Sequence, residues 1–312
     1  MITALLLNPC IDRTVFIDGF LYGEMNRIVE AENIPSGKGV NVAYAAKKLG
    51  EDAHLVLFGT KEADPVQKRM ESLGVTSEKL GVFDAIRVNT KLNNMQDNVV
   101  TEINEKGAPV THEQIEEIIK MSVEAAKKSD FFVLTGSMPK GCESALYGEI
   151  MAKIKLMAPE CKLVLDAEGE VFKKALAQNP YIIKPNKYEI EMYCGKKLDT
   201  LEALAAEGMK LHEGGAEYVI ISLGGDGALI CCAEGAYAAR PPKIDVLNTV
   251  GAGDSMLASA ILAVKNGDSA PDILKKSIAA GSSAATCSMT ELISIETYER
   301  LKEEVQVSRV NV

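Results

Sequence analysis

Residues 131–166 read FFVLTGSMPK GCESALYGEI MAKIKLMAPE CKLVLD, and this stretch decides the fold. An unbroken apolar run, Phe131 to Leu134, ends in Thr135-Gly136-Ser137. A helical stretch over 143–158 follows, and a second run, Lys162 to Asp166, ends in a carboxylate. Continuous apolar strands joined by helices belong to a parallel sheet covered on both faces, because a half-solvated strand would alternate polar and apolar residues. The rhythm extends in both directions. Upstream, Thr111-x-x-Gln114 predicts a capping box opening a helix with Ile115, Ile118, Ile119 and Val123 on one face. Downstream, helix 168–177, strand 181–183, helices 187–194 and 200–213 and strand Tyr218 to Leu223 continue it. The chain reads as α/β, with ligands expected at the carboxyl ends of the strands.

The N-terminal part is less regular. Met1 to Leu7 reads as a buried first strand stopping at Asn8-Pro9 rather than as a signal peptide, since it lacks a basic start and a cleavage site. Asp12 to Pro35 carries turn residues and short β-prone pieces such as Thr14 to Ile17, too irregular for a core helix. Ser36-Gly37-Lys38-Gly39-Val40-Asn41-Val42-Ala43 runs into a helix ending at Leu49-Gly50, but its spacing is not that of a Walker loop. Ala53 to Phe58 reads as a strand and Asp64 to Leu73 as a helix. In the stretch Ile86 to Asn104, Arg87, Asn89 and Lys91 fall on one face of a strand by period two. That face suits either solvent or a bound anion. Val99 to Ile103 would pair with it outside the main sheet, and residues 13–34 would join them. The organisation expected is an α/β core (1–11, 35–86 and 107–312) and a discontinuous β lid (12–34 and 87–106).

Composition narrows the partners. The chain has 312 residues, 47% of them hydrophobic, enough for a sizeable core. A net charge of −10 and an absence of Trp argue against nucleic-acid or anionic-membrane binding, so an anionic substrate must meet a local cluster of Lys and Arg. Seven scattered cysteines, none spaced C-x-x-C, fit buried thiols in a reducing compartment, and no apolar run suits a membrane span. A cytoplasmic protein is expected. The three histidines lie in unrelated segments and make no hydrolase or zinc motif.

Chemistry concentrates in Asn248-Thr249-Val250-Gly251-Ala252-Gly253-Asp254-Ser255-Met256-Leu257. Leu257, Ile261 and Val264 form the apolar stripe of a helix, and the glycines before it expose backbone amides at its positive end, an anion site. Asp254 fits two roles: a helix-capping carboxylate, or a base that deprotonates an attacking hydroxyl while the amides of Ala252, Gly253 and Asp254 hold a phosphoryl group. Asn186 and Glu189, three apart at a helix start, likewise suit either a capping box or Mg²⁺ held through water. Gly224, Gly225 and Gly227 precede β-like residues, so they mark a hairpin rather than a dinucleotide turn.

Taken in order, Asn8-Pro9-x-x-Asp12, Asn26-Arg27, Gly37-Lys38-Gly39-Val40-Asn41-Val42-Ala43, Arg87-x-Asn89-x-Lys91, Gly136-Ser137-x-Pro139, Lys184-Pro185-Asn186-x-x-Glu189, Ser222-Leu223-Gly224-x-x-Gly227 and Thr249-Val250-Gly251-Ala252-Gly253-Asp254 resemble the PfkB, or ribokinase-like, family of carbohydrate kinases. Within it the chain is most similar to the bacterial 1-phosphofructokinase and tagatose-6-phosphate kinase branch. The resemblance implies a three-layer sandwich with a mostly parallel central sheet and a small β lid that often builds a homodimer. It implies Asp254 as catalytic base and Gly251 to Gly253 as the anion hole. Lys184, Asn186, Ser222, Gly224, Gly227 and Thr249 fall on the nucleotide side, with Asn186 and Glu189 near Mg²⁺. Asp12, Gly37, Asn41 and Asn89 fall on the sugar, and Arg27, Lys38, Arg87, Lys91 and Ser137 on its existing phosphate. Three positions depart from the pattern: Ser36 where the branch often has Gly, Asn248 where the signature begins with Asp, and a thinner glycine stretch at Gly59-Thr60-Lys61-Glu62.

The activity implied is ATP-dependent phosphorylation of a ketohexose monophosphate, fructose 1-phosphate ahead of tagatose 6-phosphate on overall likeness. A same-fold kinase of an unphosphorylated sugar is set against it by the cations Arg27, Lys38, Arg87 and Lys91, which a neutral sugar does not need. A non-catalytic sugar-phosphate sensor is set against it by the intact Asp254.

Overall fold

The first strand shows how the layers are built. In the computed structural model, which describes residues 1–97, 99–288 and 290–312, β1 (Ile2–Leu6) is buried along its whole length. Its side chains alternate between two cores: Ile2, Ala4 and Leu6 point to one, Leu5 and the following Leu7 to the other. Asn98 of the expected lid stretch and Met289 of the expected core stretch lie outside the described residues.

The chain continues through β2 (Cys10–Ile17), β3 (Ile28–Ser36), α1 (Lys38–Lys48), β4 (Ala53–Thr60), α2 (Pro65–Ser72), β5 (Thr76–Phe83), β6 (Arg87–Asn94), β7 (Val99–Asn104) and α3 (His112–Ala126). It goes on through β8 (Phe131–Thr135), α4 (Leu146–Met157), β9 (Lys162–Asp166), α5 (Gly169–Leu176), β10 (Ile182–Ile183), α6 (Lys187–Cys194), α7 (Leu201–Glu213), β11 (Tyr218–Ser222), β12 (Ala228–Cys232) and β13 (Gly235–Ala239). The last elements are α8 (Ala252–Lys265), α9 (Ala270–Ala285), α10 (Ile295–Glu304) and β14 (Val307–Val310).

Among the described residues, ten strands form the main sheet in the order β14-β13-β12-β11-β10-β9-β8-β1-β4-β5. From β5 to β11 neighbours run parallel, and the last three strands add as antiparallel neighbours. Helices α1, α2, α8 and α9 cover one face through Val40, Met70, Ile261 and Ile273. Helices α3 to α7 cover the other through Ile118, Ile150, Phe172, Ile190 and Leu204. The three-layer α/β arrangement read from the sequence is the fold.

The small sheet has the order β3-β2-β6-β7 and stands apart. The stretch Asp12 to Pro35, read as turn residues and short β-prone pieces of a lid, holds two longer and more regular antiparallel strands joined through residues 18–27, and the pairing starts at Cys10 and ends at Ser36. The reason for the difference is exposure: β3 is solvent-exposed from Ile28 to Asn33, so no apolar alternation marks it. Parallel pairing of β2 with β6 sets Cys10 beside Arg87, Asp12 beside Asn89 and Thr14 beside Lys91.

Candidate active site

The carboxyl ends of β1, β8 and β9, the start of α1 and one face of the small sheet enclose a cavity of about 440 Å³. Asp12, Gly37, Lys38, Asn41, Arg87, Asn89, Lys91, Ser137, Gly251 and Asp254 all line it. Gly37 is required where it stands: at φ 143° its backbone lies so close to β1 that a Cβ would come within 2.6 Å of Leu6 Cδ1. Asp12 and Asn89 are joined directly, Asn89 Nδ2 donating to Asp12 Oδ1 at 3.3 Å. Arg87 ties the small sheet to the core, donating from Nη1 to the Glu105 carbonyl at 2.9 Å and from Nη2 to the Asn8 carbonyl at 3.3 Å. Lys91 Nζ makes no hydrogen bond or ion pair among the described residues.

Helix α8 begins at the cavity wall. Gly251 caps it in the left-handed region (φ 77°), where a Cβ would strike Leu292 at 2.2 Å. Asn248 organises the approach, its Oδ1 accepting from the Val250 amide at 3.0 Å, a task its carbonyl oxygen performs without the carboxylate of the usual signature. The Ala252 amide is engaged by the Thr249 carbonyl at 3.3 Å, and the second and third amides of the helix, Gly253 and Asp254, have no acceptor among the described residues. Asp254 is buried and accepts from Asn41 Nδ2 at 2.8 Å. Burial raises its pKa above the ordinary carboxylate range; Asp166 adds to the rise, and Lys38, the Asn41 bond and Lys184 oppose it. A carboxylate poised this way is suited to take a proton.

Asp166, the last residue of β9, is the charged centre of the floor. It lies 3.3 Å from Lys38 Nζ and 3.3 Å from Lys184 Nζ, and accepts from Thr135 Oγ1 at 3.2 Å. Burial alone would raise its pKa, but Lys184 and Lys38 outweigh that and hold it low. The same field works in reverse on Lys38, whose pKa burial would lower and whose carboxylate neighbours Asp166 and Asp254 raise.

A second cavity, about 540 Å³, opens on the other side of the α8 start. Ser222, Gly224, Gly227, Thr249, Ala252 and Gly253 line it, with Met256 and Ile278 giving an apolar wall. The two cavities meet at α8: Val250, Gly251 and Asp254 face the first, Thr249, Ala252 and Gly253 the second. Lys184 reaches this seam, its Nζ 3.5 Å from where a Cβ on Gly253 would sit.

Four expected site residues line neither cavity: Lys184, which reaches only the seam, and Asn186, Glu189 and Arg27. Asn186 and Glu189 form a complete capping box at α6, Asn186 Oδ1 accepting from the Glu189 amide at 2.9 Å and Glu189 Oε2 from the Asn186 amide at 2.8 Å. Arg27 is exposed beside the small sheet, away from its own chain's cavity. Conversely, Asn8, Asp166, Glu102 and Asn104 line the first cavity without having been singled out as site residues. Asn8 and Asp166 stand at strand ends, which was the available signal; Glu102 and Asn104 follow from pairing β7 to β6, Glu102 opposite Lys91 and Asn104 opposite Asn89.

Comparison with known proteins agrees with this geometry. The family described as pfkB family carbohydrate kinase matches residues 5–297. The chain is 31% identical to the 1-phosphofructokinase of Borreliella burgdorferi over 91% of this chain and 92% of that one. It is 30% identical to the 1-phosphofructokinase of Bacillus subtilis over 99% and 100%. Phosphofructokinase-2 from Escherichia coli, in complex with potassium, shares the fold with a TM-score of 0.89 at 23% identity, covering 97% of this chain and 98% of that one.

Proposed function

This chain belongs to the pfkB family of carbohydrate kinases, and from that premise we propose that it transfers the terminal phosphoryl group of ATP to a hydroxyl of fructose 1-phosphate, giving fructose 1,6-bisphosphate. The observation that carries the substrate is a cluster of cations, Lys38, Arg87 and Lys91, in one cavity of a chain whose net charge is −10. A neutral sugar would leave Arg87 and Lys91, which have no ion-pair partner among the described residues, without a counter-ion. The curated relatives named 1-phosphofructokinase support the same choice.

The sugar phosphate occupies the first cavity, with Asp12, Asn41 and Asn89 toward its hydroxyls and Ser137 among the phosphate contacts. ATP occupies the second, its phosphates toward Thr249, Gly253 and Lys184. Asp254 removes the proton from the acceptor hydroxyl as its oxygen attacks the γ-phosphorus and ADP departs. The Gly253 and Asp254 amides bear the charge that develops on the phosphoryl oxygens. Mg²⁺ supplies neutralisation of the triphosphate when bound. Glu189 fits it through water: Oε2 is taken by the Asn186 amide, while Oε1 has no hydrogen-bond partner among the described residues.

The small sheet serves as a lid and as a homodimer interface. Exposed apolar side chains gather on the sheet and its β2–β3 connection: Tyr22 is 95% exposed and Met25 77% in the connection, Val29 62% on β3 and Ile103 59% on β7. Arg27 is exposed in the same connection, so in a lid-to-lid dimer it serves the phosphate of the partner's site. The seven free thiols suit a cytoplasmic setting, and no helix among the described residues is long and apolar enough to cross a membrane.

ADP release measured with fructose 1-phosphate, fructose 6-phosphate, tagatose 6-phosphate and fructose tests the reading. The highest kcat/KM should fall on fructose 1-phosphate. A preference for unphosphorylated fructose would overturn it.

A further inference from the structure

Asp166 takes no part in the reaction just described, yet it is almost wholly enclosed, its side chain 2% exposed, in the floor of the first cavity. One oxygen, Oδ2, meets Lys38 Nζ at 3.3 Å and is fixed by Thr135 Oγ1 at 3.2 Å. The other, Oδ1, meets Lys184 Nζ at 3.3 Å. The two lysines come from opposite sides: Lys38 lines the sugar cavity, and Lys184 stands against Gly253 in the wall of the nucleotide cavity. A simple counter-ion would need one lysine. Here each oxygen holds one, and the backbone is pinned as well, the Asp166 carbonyl accepting from the Gly136 amide at 3.3 Å.

We infer that Asp166 is a positioning residue that ties Lys38 of the sugar cavity and Lys184, beside Gly253 at the edge of the nucleotide cavity, to a common, immobile carboxylate, fixing the separation of the acceptor-side and donor-side cations during phosphoryl transfer. The inference rests on the kinase reading and adds to it a residue that acts through the two lysines it holds. The physical need is clear. A lysine is a point charge on a flexible four-carbon stem, and a misplacement of about 1 Å at a reacting centre costs on the order of a hundredfold in rate. Lys184, only 7% exposed, would also lose its compensating charge.

A double-mutant cycle reads this directly. Asp166→Asn keeps the shape and can still accept from Thr135 but loses the charge that holds the lysines. In the otherwise native enzyme Lys38→Met should lower kcat/KM for fructose 1-phosphate, and Lys184→Met that for ATP, each by about tenfold or more. In the Asp166→Asn background each penalty should shrink below about threefold, because the lysine has already left its place. A merely structural carboxylate would reduce the amount of folded enzyme and leave both penalties intact, and that result overturns the inference. So does an Asp166→Asn enzyme that keeps native kcat/KM for both substrates. Should Asp166→Asn fail to fold, Thr135→Val frees Oδ2 with the charge retained, and the Lys38→Met penalty must then fall by at least about twofold; an undiminished penalty overturns the inference. A native enzyme inactive on all hexose phosphates would overturn the function and this inference together, whereas an active one with undiminished penalties overturns this inference alone.

Discussion

Asn41 donates from its side-chain amide to Asp254 Oδ2 at 2.8 Å, joining residues 213 apart in the sequence at the wall of the sugar cavity. The bond takes Oδ2, while Oδ1 has no hydrogen-bond partner among the described residues, which suits the proposed base beside the Gly253 and Asp254 amides at the start of α8. Asp254→Asn should therefore fold normally, since the amide keeps the shape, but lose kcat by about two to four orders of magnitude with KM nearly unchanged. A variant keeping more than about a tenth of the native kcat, with chemistry rate-limiting, would remove Asp254 from the role of base.

The pH profile carries a sign that follows from the same site. As the proposed base Asp254 must be ionised to act, and burial holds its pKa above the ordinary value for aspartate, with Asp166 adding and Lys38, the Asn41 bond and Lys184 opposing. Activity should thus fall as pH drops through that raised value, placing the acid limb of kcat/KM above about 3.9. Lys38→Met removes a cation that favours the ionised form, so the limb should move to higher pH. An unmoved limb, or one displaced to lower pH, would mean that another group titrates there.

How much of this was legible differs by element. The α8 stripe was, because Leu257, Ile261 and Val264 are buried and a buried face writes its period into the sequence. Strand β5 was not: as the sheet's parallel edge it runs Thr76-Ser77-Glu78-Lys79, polar and half-exposed, with no alternation to read. Strands β13 and β14 and helices α9 and α10 were likewise unassigned. In the site, Asp12 and Asn89 could be named from motifs, but their contact exists only because β2 and β6 pair in register. Asp166 stood out weakly as a strand-end carboxylate. Its meaning appears once the fold brings Lys38, 128 residues away in sequence, to its side.

For Glu189 the capping geometry and the metal role are separable. Glu189→Gln preserves the Oε2 acceptor for the Asn186 amide and hence the start of α6. Only the charge is lost. The Mg²⁺ concentration for half-maximal rate should rise while the melting temperature stays near native. If the Mg²⁺ dependence overlays that of the native enzyme, Glu189 serves the helix alone.

Arg27 provides a test of the dimer. It is exposed in the connection between β2 and β3 and outside its own cavity. Arg27→Ala should raise KM for the sugar phosphate by about tenfold. Mixing it with Asp254→Asn should form heterodimers in which the Arg27→Ala subunit keeps its base and receives the partner's native arginine, recovering activity with a native KM. No recovery on mixing, with subunit exchange shown by mass, would exclude service across the interface.

The two cations of β6 should respond differently, because the fold has given them different duties. Lys91 Nζ has no hydrogen bond or ion pair among the described residues, so it is free for a dianion. Charge-assisted contacts to phosphate are the strong kind, and Lys91→Ala should raise KM for the sugar phosphate about tenfold with stability unchanged. Arg87 is already committed to the Asn8 and Glu105 carbonyls and to Asn89 Oδ1, at 3.0 Å for the last. Arg87→Ala should raise the same KM by roughly 10- to 150-fold and also lower the melting temperature, since it frees buried acceptors and loosens the lid. KM for ATP should hardly move in either case. Should ATP affinity fall instead, with the sugar phosphate unaffected, the face of β6 belongs to the nucleotide and the division of the two cavities is wrong.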